Sequence, residues 1–236
     1  MLVLATALSA CSPAVEKGKI NDPFESNNRV AHRFNVGLDK TVLKPLSSAY
    51  GGVLPEPVRA GVGHFAANLN EPSNVVNNLL QAKLDKSVAS LFRFAINSTV
   101  GVGGLFDPAT ALGLPAAKTD FGATLHAWGA PEGAYLELPL LGPSTERDFA
   151  GTIVDMAMNP LNFALNGTEQ DVALGAKVAS KVGDRYRFSD TVDSILYDSA
   201  DGYAQARLLY LQNRHYELGI AAPDTYFDPY EDPYAQ

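Results

Sequence analysis

Residues 56–99, EPVRAGVGHFAANLNEPSNVVNNLLQAKLDKSVASLFRFAINST, decide the fold of this chain. Proline follows glutamate at Pro57 and again at Pro72, and it suits the first turn of a helix because the N–H it lacks is not needed there. Apolar residues then recur three and four positions apart on one face of each segment. These stripes are Val58, Val62, Phe65 and Leu69, then Val75, Val76, Leu79 and Leu80, then Leu84, Val88, Leu91, Phe92, Ala95 and Ile96. The pattern predicts three consecutive helices.

The third segment, residues 84–96, is apolar over more than half of the helix circumference. Such breadth is typical of a helix buried between other helices. It is equally typical of an interfacial helix that lies at the level of lipid headgroups. Periodicity shows which residues share a face and not what covers that face, so both interpretations stay open.

Helical spacing continues in the second half of the chain. The segments are residues 148–164, 170–182, 189–197 and 202–216. Residues 101–142, in contrast, are punctuated by glycine and proline, and only residues 120–128 within them have helical spacing. A loop of that length is uncommon in a compact domain unless it is functional. The sequence predicts an all-α fold, with a single helical domain over residues 22–220 and a long Gly/Pro-rich loop.

The only cysteine, Cys11, follows an uncharged apolar run that ends in Leu8-Ser9-Ala10. A short apolar stretch, small residues and a cysteine are the features of a bacterial lipoprotein processing site. We therefore expect residues 1–10 to be a signal-peptide remnant and residues 11–21 to be a lipidated tether. Cys11 would carry a diacylglycerol and an N-acyl chain, and two such signals make a stable membrane anchor. The alternative is a free, buried cysteine.

The last segment, residues 221–236, combines three prolines, four acidic residues and three tyrosines. Proline stops a helix and charge disfavours burial, so we expect an acidic, Tyr/Pro-rich disordered tail. Docking of the tyrosines on a partner is the alternative.

The charge balance excludes some classes of function. The chain has 18 Lys and Arg against 26 Asp and Glu, a net charge of -8, so we expect no nucleic-acid partner. The same balance does not oppose membrane association that acyl chains and apolar helix faces carry. No stretch approaches the roughly 20 apolar residues of a spanning helix.

Residues that would carry catalysis are sparse. The four histidines lie far apart, with no second histidine or carboxylate at metal-ligand spacing, so we expect no metal site. A G-x-S-x-G motif is absent, which argues against a lipase-type serine nucleophile. We therefore expect no catalytic residue, no enzymatic activity and no cofactor other than the acyl groups on Cys11.

Two short motifs have more than one interpretation. Residues 101–104, Gly-Val-Gly-Gly, lack the spacing and the preceding strand of a dinucleotide-binding loop. They are either the C-terminal cap of a helix or a mobile, pore-lining hairpin. Asp22, Glu25 and Arg29 form either an N-terminal helix cap with a salt bridge or a carboxylate site. Acids suit the positive end of the helix dipole, which favours the cap.

A series of ordered motifs gives the chain a specific resemblance. The motifs are Asp22-Pro23-Phe24-Glu25-x-x-Asn28-Arg29, Phe34-Asn35-x-x-Leu38-Asp39, Val42-Leu43-Lys44-Pro45, Tyr50, Asn68-Leu69-x-Glu71-Pro72, Asn77-x-Leu79-Leu80-Gln81, Arg93-Phe94-x-x-Asn97-Ser98-Thr99, Gly101-x-Gly103-Gly104-x-x-Asp107, Asp120-Phe121-Gly122-x-Thr124-Leu125, Trp128-Gly129, Leu138-Pro139, Gly142-Pro143-Ser144 and Arg147-Asp148. Together they resemble the MlaA (VacJ) family of outer-membrane lipoproteins, densely over residues 22–160. Asn27 departs from the pattern, because the family often has a larger apolar residue there.

The resemblance implies a ring-like, all-helical lipoprotein that is partly embedded in the inner leaflet of the outer membrane of a Gram-negative bacterium and faces the periplasm. It implies a trimeric outer-membrane porin as a neighbour and a central amphipathic channel. The implied task is to remove mislocalised phospholipids from the outer leaflet and pass them to a soluble periplasmic lipid-carrier protein, which maintains lipid asymmetry. Such transport needs an apolar surface for the tails and a wet path for the head, and no nucleophile.

The resemblance and the glycine-rich turn together select candidates for the lipid channel or its gate. The candidates are Phe34, Asn35, Gly101, Gly103, Gly104, Phe106 and Asp107. Because glycine permits hinging, we expect the loop after residue 99 to gate the channel. Phe34 is alternatively plain core. Two other functions stay open, a structural envelope scaffold and, less favoured, a phospholipase.

Overall fold

The structure, a computed structural model, describes residues 20–220. The predicted lipidation site Cys11, its leader and the predicted tail over residues 221–236 lie outside the described residues. The elements before the middle of the chain are α1 (Glu25–Leu38), a π-helical turn (Asp39–Leu43), α2 (Lys44–Val53), α3 (Glu56–Asn68), α4 (Glu71–Leu80), α5 (Leu84–Thr99), α6 (Pro108–Ala111) and α7 (Phe121–Ala127). They are followed by β1 (Tyr135–Leu138), β2 (Gly142–Thr145), α8 (Glu146–Met158), α9 (Leu161–Ala164), α10 (Gly167–Arg187), α11 (Ser189–Asp193), a second π-helical turn (Ser194–Asp198) and α12 (Gly202–Leu218).

The mostly helical fold is confirmed, and the three segments of residues 56–99 form α3, α4 and α5. The helix predicted over residues 148–164 is instead divided into α8 and α9. The division falls at Asn159, whose ψ of 118° is extended. Pro160 follows it, and a residue that precedes proline is disfavoured in the helical conformation.

The prediction that residues 101–142 are loop apart from one helix was wrong in two places. Residues Pro108–Ala111 form the short helix α6, whose N-cap is Asp107. Strand β1 pairs antiparallel with β2, with Tyr135 opposite Thr145 and Leu138 opposite Gly142. The strand escaped detection because its inward side chains are Tyr135 and Glu137, so the side that faces the protein is not apolar.

A small aromatic cluster holds this hairpin against the last helix. Tyr135, Tyr203 and Leu211 are buried together, and Tyr210 packs against them. The ring of Tyr135 meets those of Tyr203 and Tyr210 edge-on, with centroids 6.0 and 6.3 Å apart. Edge-to-face contact is a preferred arrangement for aromatic rings. The hairpin and α12 are therefore packed as one unit although they are distant in sequence.

The polarity of helix α5 is the reverse of that of a helix in a water-soluble domain. Its buried residues are Ser87, Ser90, Arg93 and Asn97. The apolar stripe is on the opposite, exposed side, where Leu84 is 61% and Phe92 56% accessible. The interpretation of this stripe as core between helices is therefore wrong, because the polar face is the one that packs.

Helix α4 has the same reversed polarity. Its buried residues are Glu71, Asn74, Asn77 and Asn78, whereas Leu79 is exposed. The polar faces of α4 and α5 pack against each other and against the segments that follow. Within residues 20–220, no helix is both long and apolar enough to cross a bilayer.

The start of α1 differs from its predicted cap. The N-cap is Phe24, with no side-chain hydrogen bond, so the cap prediction was wrong. The predicted salt bridge is present, with Glu25 Oε1 and Arg29 Nε 2.8 Å apart. Asp22 instead accepts hydrogen bonds from Asn28 and from the hydroxyl of Tyr203, so it ties the start of α1 to α12.

Candidate functional site

The buried guanidinium of Arg93 is the centre of the polar interior beside α5. Its Nε donates to Glu71 Oε1 at 2.7 Å and one Nη donates to Asp107 Oδ2 at 3.0 Å. The other Nη donates to the hydroxyl of Thr110 at 3.0 Å. Only 3% of Arg93 is exposed. A buried cation is tolerated when its charge is paired and its donors are satisfied, and two carboxylates meet both conditions here.

Asp107, a candidate gate residue, is fixed in this network. Its carboxylate accepts from the backbone N–H of Thr110 at 3.1 Å and from the amide of Asn97 at 3.0 Å. Burial raises the pKa of Asp107, but the hydrogen bonds from Thr110, Arg93 and Asn97 outweigh it and hold the pKa well below its usual range. Asp107 therefore anchors the end of the glycine-rich turn as a permanent carboxylate.

The glycines of the turn have different local constraints. At Gly101, an added Cβ would lie 2.4 Å from the carbonyl oxygen of Asn97. Gly104 has a φ of +95°, and a Cβ there would meet the side chain of Asn68 at 2.6 Å. Gly103 has a φ of +70° with nothing within 4 Å of its Cβ position. Close approach requires glycine at two positions, and the left-handed backbone favours it at Gly103.

The same turn closes the C-terminal end of α5. The N–H of Gly101 donates to the carbonyl of Ile96 at 3.1 Å, and the N–H of Gly103 donates to that of Ser98 at 3.0 Å. Such bonds satisfy carbonyls that the end of a helix leaves free. The interpretation of the cluster as a helix C-cap is confirmed, and gating stays a prediction.

Phe34 and Phe106, the two aromatic candidates, both lie on the surface. They are 53% and 62% exposed, respectively. Phe34 is therefore not core, which excludes the alternative interpretation of that residue.

Asn35 lies on α1 and holds the edge of the hairpin. Its amide nitrogen donates to the carbonyl of Leu138 and to Glu137 Oε1, both at 3.0 Å. Its amide oxygen accepts from the N–H of Leu140 at 2.8 Å. The Asn35 side chain therefore satisfies a backbone carbonyl at the end of β1 and a backbone N–H in the turn that follows it.

Asn28, two helical turns earlier, makes the equivalent contact at the other end of β1. Its amide donates to the carbonyl of Tyr135 and accepts from the N–H of Glu137, each at 3.0 Å. Because residues seven apart lie on one face of a helix, Asn28 and Asn35 follow the same strand edge. We call this pair the asparagine clamp.

The clamp encloses a buried carboxylate, that of Glu137. The hydroxyl of Tyr135 donates to it at 2.5 Å, Asn35 donates to its other oxygen, and His32 Nδ1 lies 3.5 Å away. Burial, followed by the hydrogen bond to Glu137, raises the pKa of Tyr135 far above its ordinary value. The phenol therefore stays a donor at every physiological pH.

A second polar seam joins α4 to α7 and α8. Asn77 donates to Asp155 at 2.8 Å and accepts from Thr124 at 2.9 Å. Asp155 also accepts from the backbone N–H of Phe121 at 2.8 Å, and burial raises its pKa. These residues were not among the candidates. The signal that pointed to them was the repetition of asparagine on one face of α4, at Asn74, Asn77 and Asn78.

Ionic contacts continue this seam to the last helix. Arg214 pairs with Asp148 and Asp120, with one nitrogen 2.8 Å from each carboxylate. Tyr210 donates to Asp148 at 2.7 Å. Within residues 20–220, His, Cys, Asp and Glu side chains form no group of three that could hold a metal ion.

Taken together, the site defines a class of protein, a helical domain with amides and ion pairs inside and apolar side chains outside. The comparison with known proteins narrows this class. The sequence profile of the family described as "MlaA lipoprotein" matches residues 20–217. The chain belongs to the MlaA lipoprotein family.

Relatives within this family cover almost the whole chain. The protein named intermembrane phospholipid transport system lipoprotein MlaA of Escherichia coli K12 is 31% identical over 242 residues, covering 100% of this chain and 92% of its own. An uncharacterized protein of Rickettsia felis is 36% identical over 212 residues, 89% of this chain and 82% of its own. A structure solved in work on the structural basis for maintenance of bacterial outer membrane lipid asymmetry matches with a TM-score of 0.73 at 31% identity. The match covers 84% of this chain and 98% of the chain in that structure.

Proposed function

We propose that this protein is an outer-membrane lipoprotein that removes mislocalised phospholipids from the outer leaflet through an amphipathic channel. It passes them to a soluble periplasmic lipid carrier and so maintains lipid asymmetry. The name of the Escherichia coli relative supports phospholipid transport as the general role. The observation that carries the proposal is the reversed polarity of α5.

Reversed polarity is unfavourable in water. Burial of a large apolar side chain stabilises a protein by roughly 1.5–3 kcal/mol. Helix α5 leaves Leu84, Val88, Leu91 and Phe92 outside while it buries serines and an arginine. Contact with acyl chains would recover the burial energy of these side chains. We therefore place the body of the protein in the apolar part of a bilayer, with α5 at the lipid boundary.

The family resemblance supplies the proposed position of the protein in the membrane. No helix within residues 20–220 is long and apolar enough to cross the bilayer. We place the body in the inner leaflet, facing the periplasm. Lipidation of Cys11 would anchor the chain, and a trimeric porin beside it would provide a path to the outer leaflet. These positions are carried over from the family resemblance.

The polar interior suits the headgroup path. A charged head needs hydrogen-bonding groups on its way through protein, because stripping its water without replacement is costly. Arg93, Asn97 and the α4 asparagines are bonded to one another's neighbours inside the protein, and they make the region next to the glycine-rich turn polar. We assign the gate to that turn, residues 101–107, and to the asparagine clamp, whose release would free the hairpin.

The test is the behaviour of the body without its leader and tether. Protein that lacks residues 1–19 should still bind vesicles, and Leu91→Asn/Phe92→Asn should weaken that binding severalfold because it removes apolar surface from α5. Asp85→Asn/Lys86→Asn is the matched control, since it changes exposed polar residues of the same helix. A monodisperse monomer without lipid affinity would show that the body does not lie in the membrane.

Cell assays separate the remaining functions. A deletion strain should accumulate phospholipid in the outer leaflet. Normal asymmetry in that strain would favour a structural envelope scaffold. Release of fatty acid or lysolipid by the purified protein would favour a phospholipase.

A further inference from the structure

Two adjoining grooves lie on the surface between α1 and the second π-helical turn. The first has a volume of about 470 Å³ and is lined by Arg33, Val36 and Leu196, among others. The second, about 480 Å³, is lined by Lys40, Leu196 and Tyr197. Leu196 belongs to both, so the grooves meet at this side chain. We call the pair the cationic groove, defined by Arg33, Val36, Lys40, Leu196 and Tyr197.

Two π-helical turns supply most of the lining of the second groove. Lys40 belongs to Asp39–Leu43, whereas Leu196 and Tyr197 belong to Ser194–Asp198. Turns of this kind occur frequently at functional sites. The buried carboxylate of Asp39 ties the walls together, because it accepts from the hydroxyl of Tyr197 at 2.6 Å and from Arg185 at 2.8 Å. The groove is therefore formed in advance and does not depend on a ligand.

Two of the acids around the groove are already paired with cations. Asp201 lies 2.8 Å from Arg29. Asp193 lies 2.6 Å from both Lys44 and Arg185. These pairs leave little negative charge to attract a further cation.

Two cations of the groove are, in contrast, uncommitted. Arg33 and Lys40 are exposed, and among residues 20–220 neither has an acidic side chain within 4.0 Å. Asp198 lines the second groove and likewise has no ion pair among those residues. Two free cations against one free acid give the groove a positive balance, which is complementary to an anion.

Apolar side chains accompany the charged ones in the groove. Val36 follows Arg33 on α1, Lys40 lies in the π-helical turn that continues this helix, and Leu196 lines both grooves. On the same helical run, Phe34 and Val42 are exposed. Cations beside exposed apolar side chains are typical of protein surfaces at the headgroup level of a membrane.

We propose that the cationic groove binds an anionic phospholipid, with the lipid phosphate on Arg33 and Lys40 and the start of its glycerol and acyl region against Val36 and Leu196. This inference rests on the proposed seat of the protein in the membrane. It adds to that function a headgroup site on the surface of the protein, outside the polar interior. This site selects anionic over zwitterionic lipid.

The experiment uses the full lipid-anchored protein in detergent, titrated with phosphatidylglycerol or phosphatidylcholine, with bound lipids counted by native mass spectrometry. The unchanged protein should prefer phosphatidylglycerol. Arg33→Gln/Lys40→Gln should lower that preference about tenfold, because each cation near an anionic headgroup contributes separately to its binding. Lys83→Gln/Lys86→Gln, which removes two cations from the start of α5, should change the preference little.

Each other result has a definite meaning. An equal loss in both double variants would show diffuse attraction to surface charge and overturn the groove as a site. An unchanged preference in Arg33→Gln/Lys40→Gln would overturn it as well. Failure of the unchanged protein to bind either lipid would instead contradict the proposed function, and phosphatidylcholine binding that survives in every variant shows that each variant is folded.

Discussion

Two asparagine side chains make the backbone hydrogen bonds that a neighbouring strand would otherwise make at the free edge of β1. An asparagine amide both donates and accepts, so it can satisfy the N–H and the C=O of an extended backbone at once. Asn28 and Asn35 do this at the two ends of the strand. The hairpin has only two strands within the described residues, and an isolated hairpin is marginal in water. Its position therefore depends on these residues of α1.

Replacement of Asn35 by alanine should loosen the corner of the hairpin. The change removes three hydrogen bonds and should destabilise the segment locally by about 1–3 kcal/mol. Hydrogen exchange at the amide of Leu140 should accelerate accordingly. Asn27→Ala, an exposed residue of the same helix, should leave that amide unchanged. Equal protection in both variants would contradict the clamp.

Replacement of Arg93 by methionine should destabilise the whole domain. The variant leaves Glu71, itself 2% exposed, without its cation. Breaking a buried ion pair in this way costs about 3–5 kcal/mol. Chemical denaturation in detergent should show the loss, and Arg93→Met/Glu71→Gln should recover part of it. A double variant no more stable than the single one would show that the Glu71 charge is not the cause.

At the scale of elements, the helices combine ordinary geometry with reversed polarity. Helices α4 and α5 have the regular spacing of amphipathic helices, but their polar faces pack inward. Amides and ions require specific partners, whereas apolar contacts do not, so this interior tolerates little sliding between helices. The connections between such helices are then the places where movement is least costly, and the glycine-rich turn after α5 is one of them.

The glycines of this turn should differ in their tolerance of alanine. Gly103→Ala should cost roughly 1–2 kcal/mol, the usual penalty for a left-handed residue with a Cβ. Gly104→Ala should cost clearly more, because its Cβ would also collide with Asn68. Thermal unfolding of the two variants in the same detergent provides the comparison. A Gly103 variant that is the less stable would contradict the packing of Gly104.

At the scale of the whole molecule, transport requires two states that differ by only a few kcal/mol. The ion pairs of Arg93 and Arg214 hold α5 to α4 and the last helix to the middle of the chain, which favours one body. The hairpin is attached to that body by the asparagine clamp and the ring of Tyr135, and the turn after α5 is attached by Asp107 and the close packing of Gly104, so a small number of contacts holds each segment. We therefore expect the moving parts to be these two segments and not whole helices.

A crosslink across the turn should stop transport. The carbonyl of Leu105 lies 3.4 Å from His64 Nδ1 on α3, so the turn already rests on that helix. A disulfide between Leu105→Cys and Gly61→Cys would pin it, because the Cβ position of Gly61 on α3 lies 3.5 Å from the carbonyl oxygen of Leu105. Outer-leaflet phospholipid should rise in oxidised cells and return to normal with reductant. Transport that a verified crosslink leaves unchanged would eliminate this gate and leave the channel untouched.

The sequence by itself determined the helices and the family. Proline at the starts of α3 and α4 and the apolar spacing of residues 84–96 are local signals, because a helix is built from contacts three and four residues apart. The ordered motifs over residues 22–160 then matched one family. Asn35 and Asp107 were selected as candidates for the channel or its gate, and that role stays a prediction. Their hydrogen-bond partners were not visible in the sequence.

Only the tertiary structure decided which face of each helix is inside. The sequence shows which side of a helix is apolar, but the stripe of α5 is the same whether protein or lipid covers it. The polar face settled the question, because Arg93 finds Glu71 on another helix and Asp107 beyond the turn. The hairpin is equally non-local, since Asn28 and Asn35 bind backbone more than 100 residues away. A buried polar group needs a hydrogen-bonding or charged partner, and that partner can be far away along the chain. The spacing of residues in the sequence therefore does not show which two groups meet.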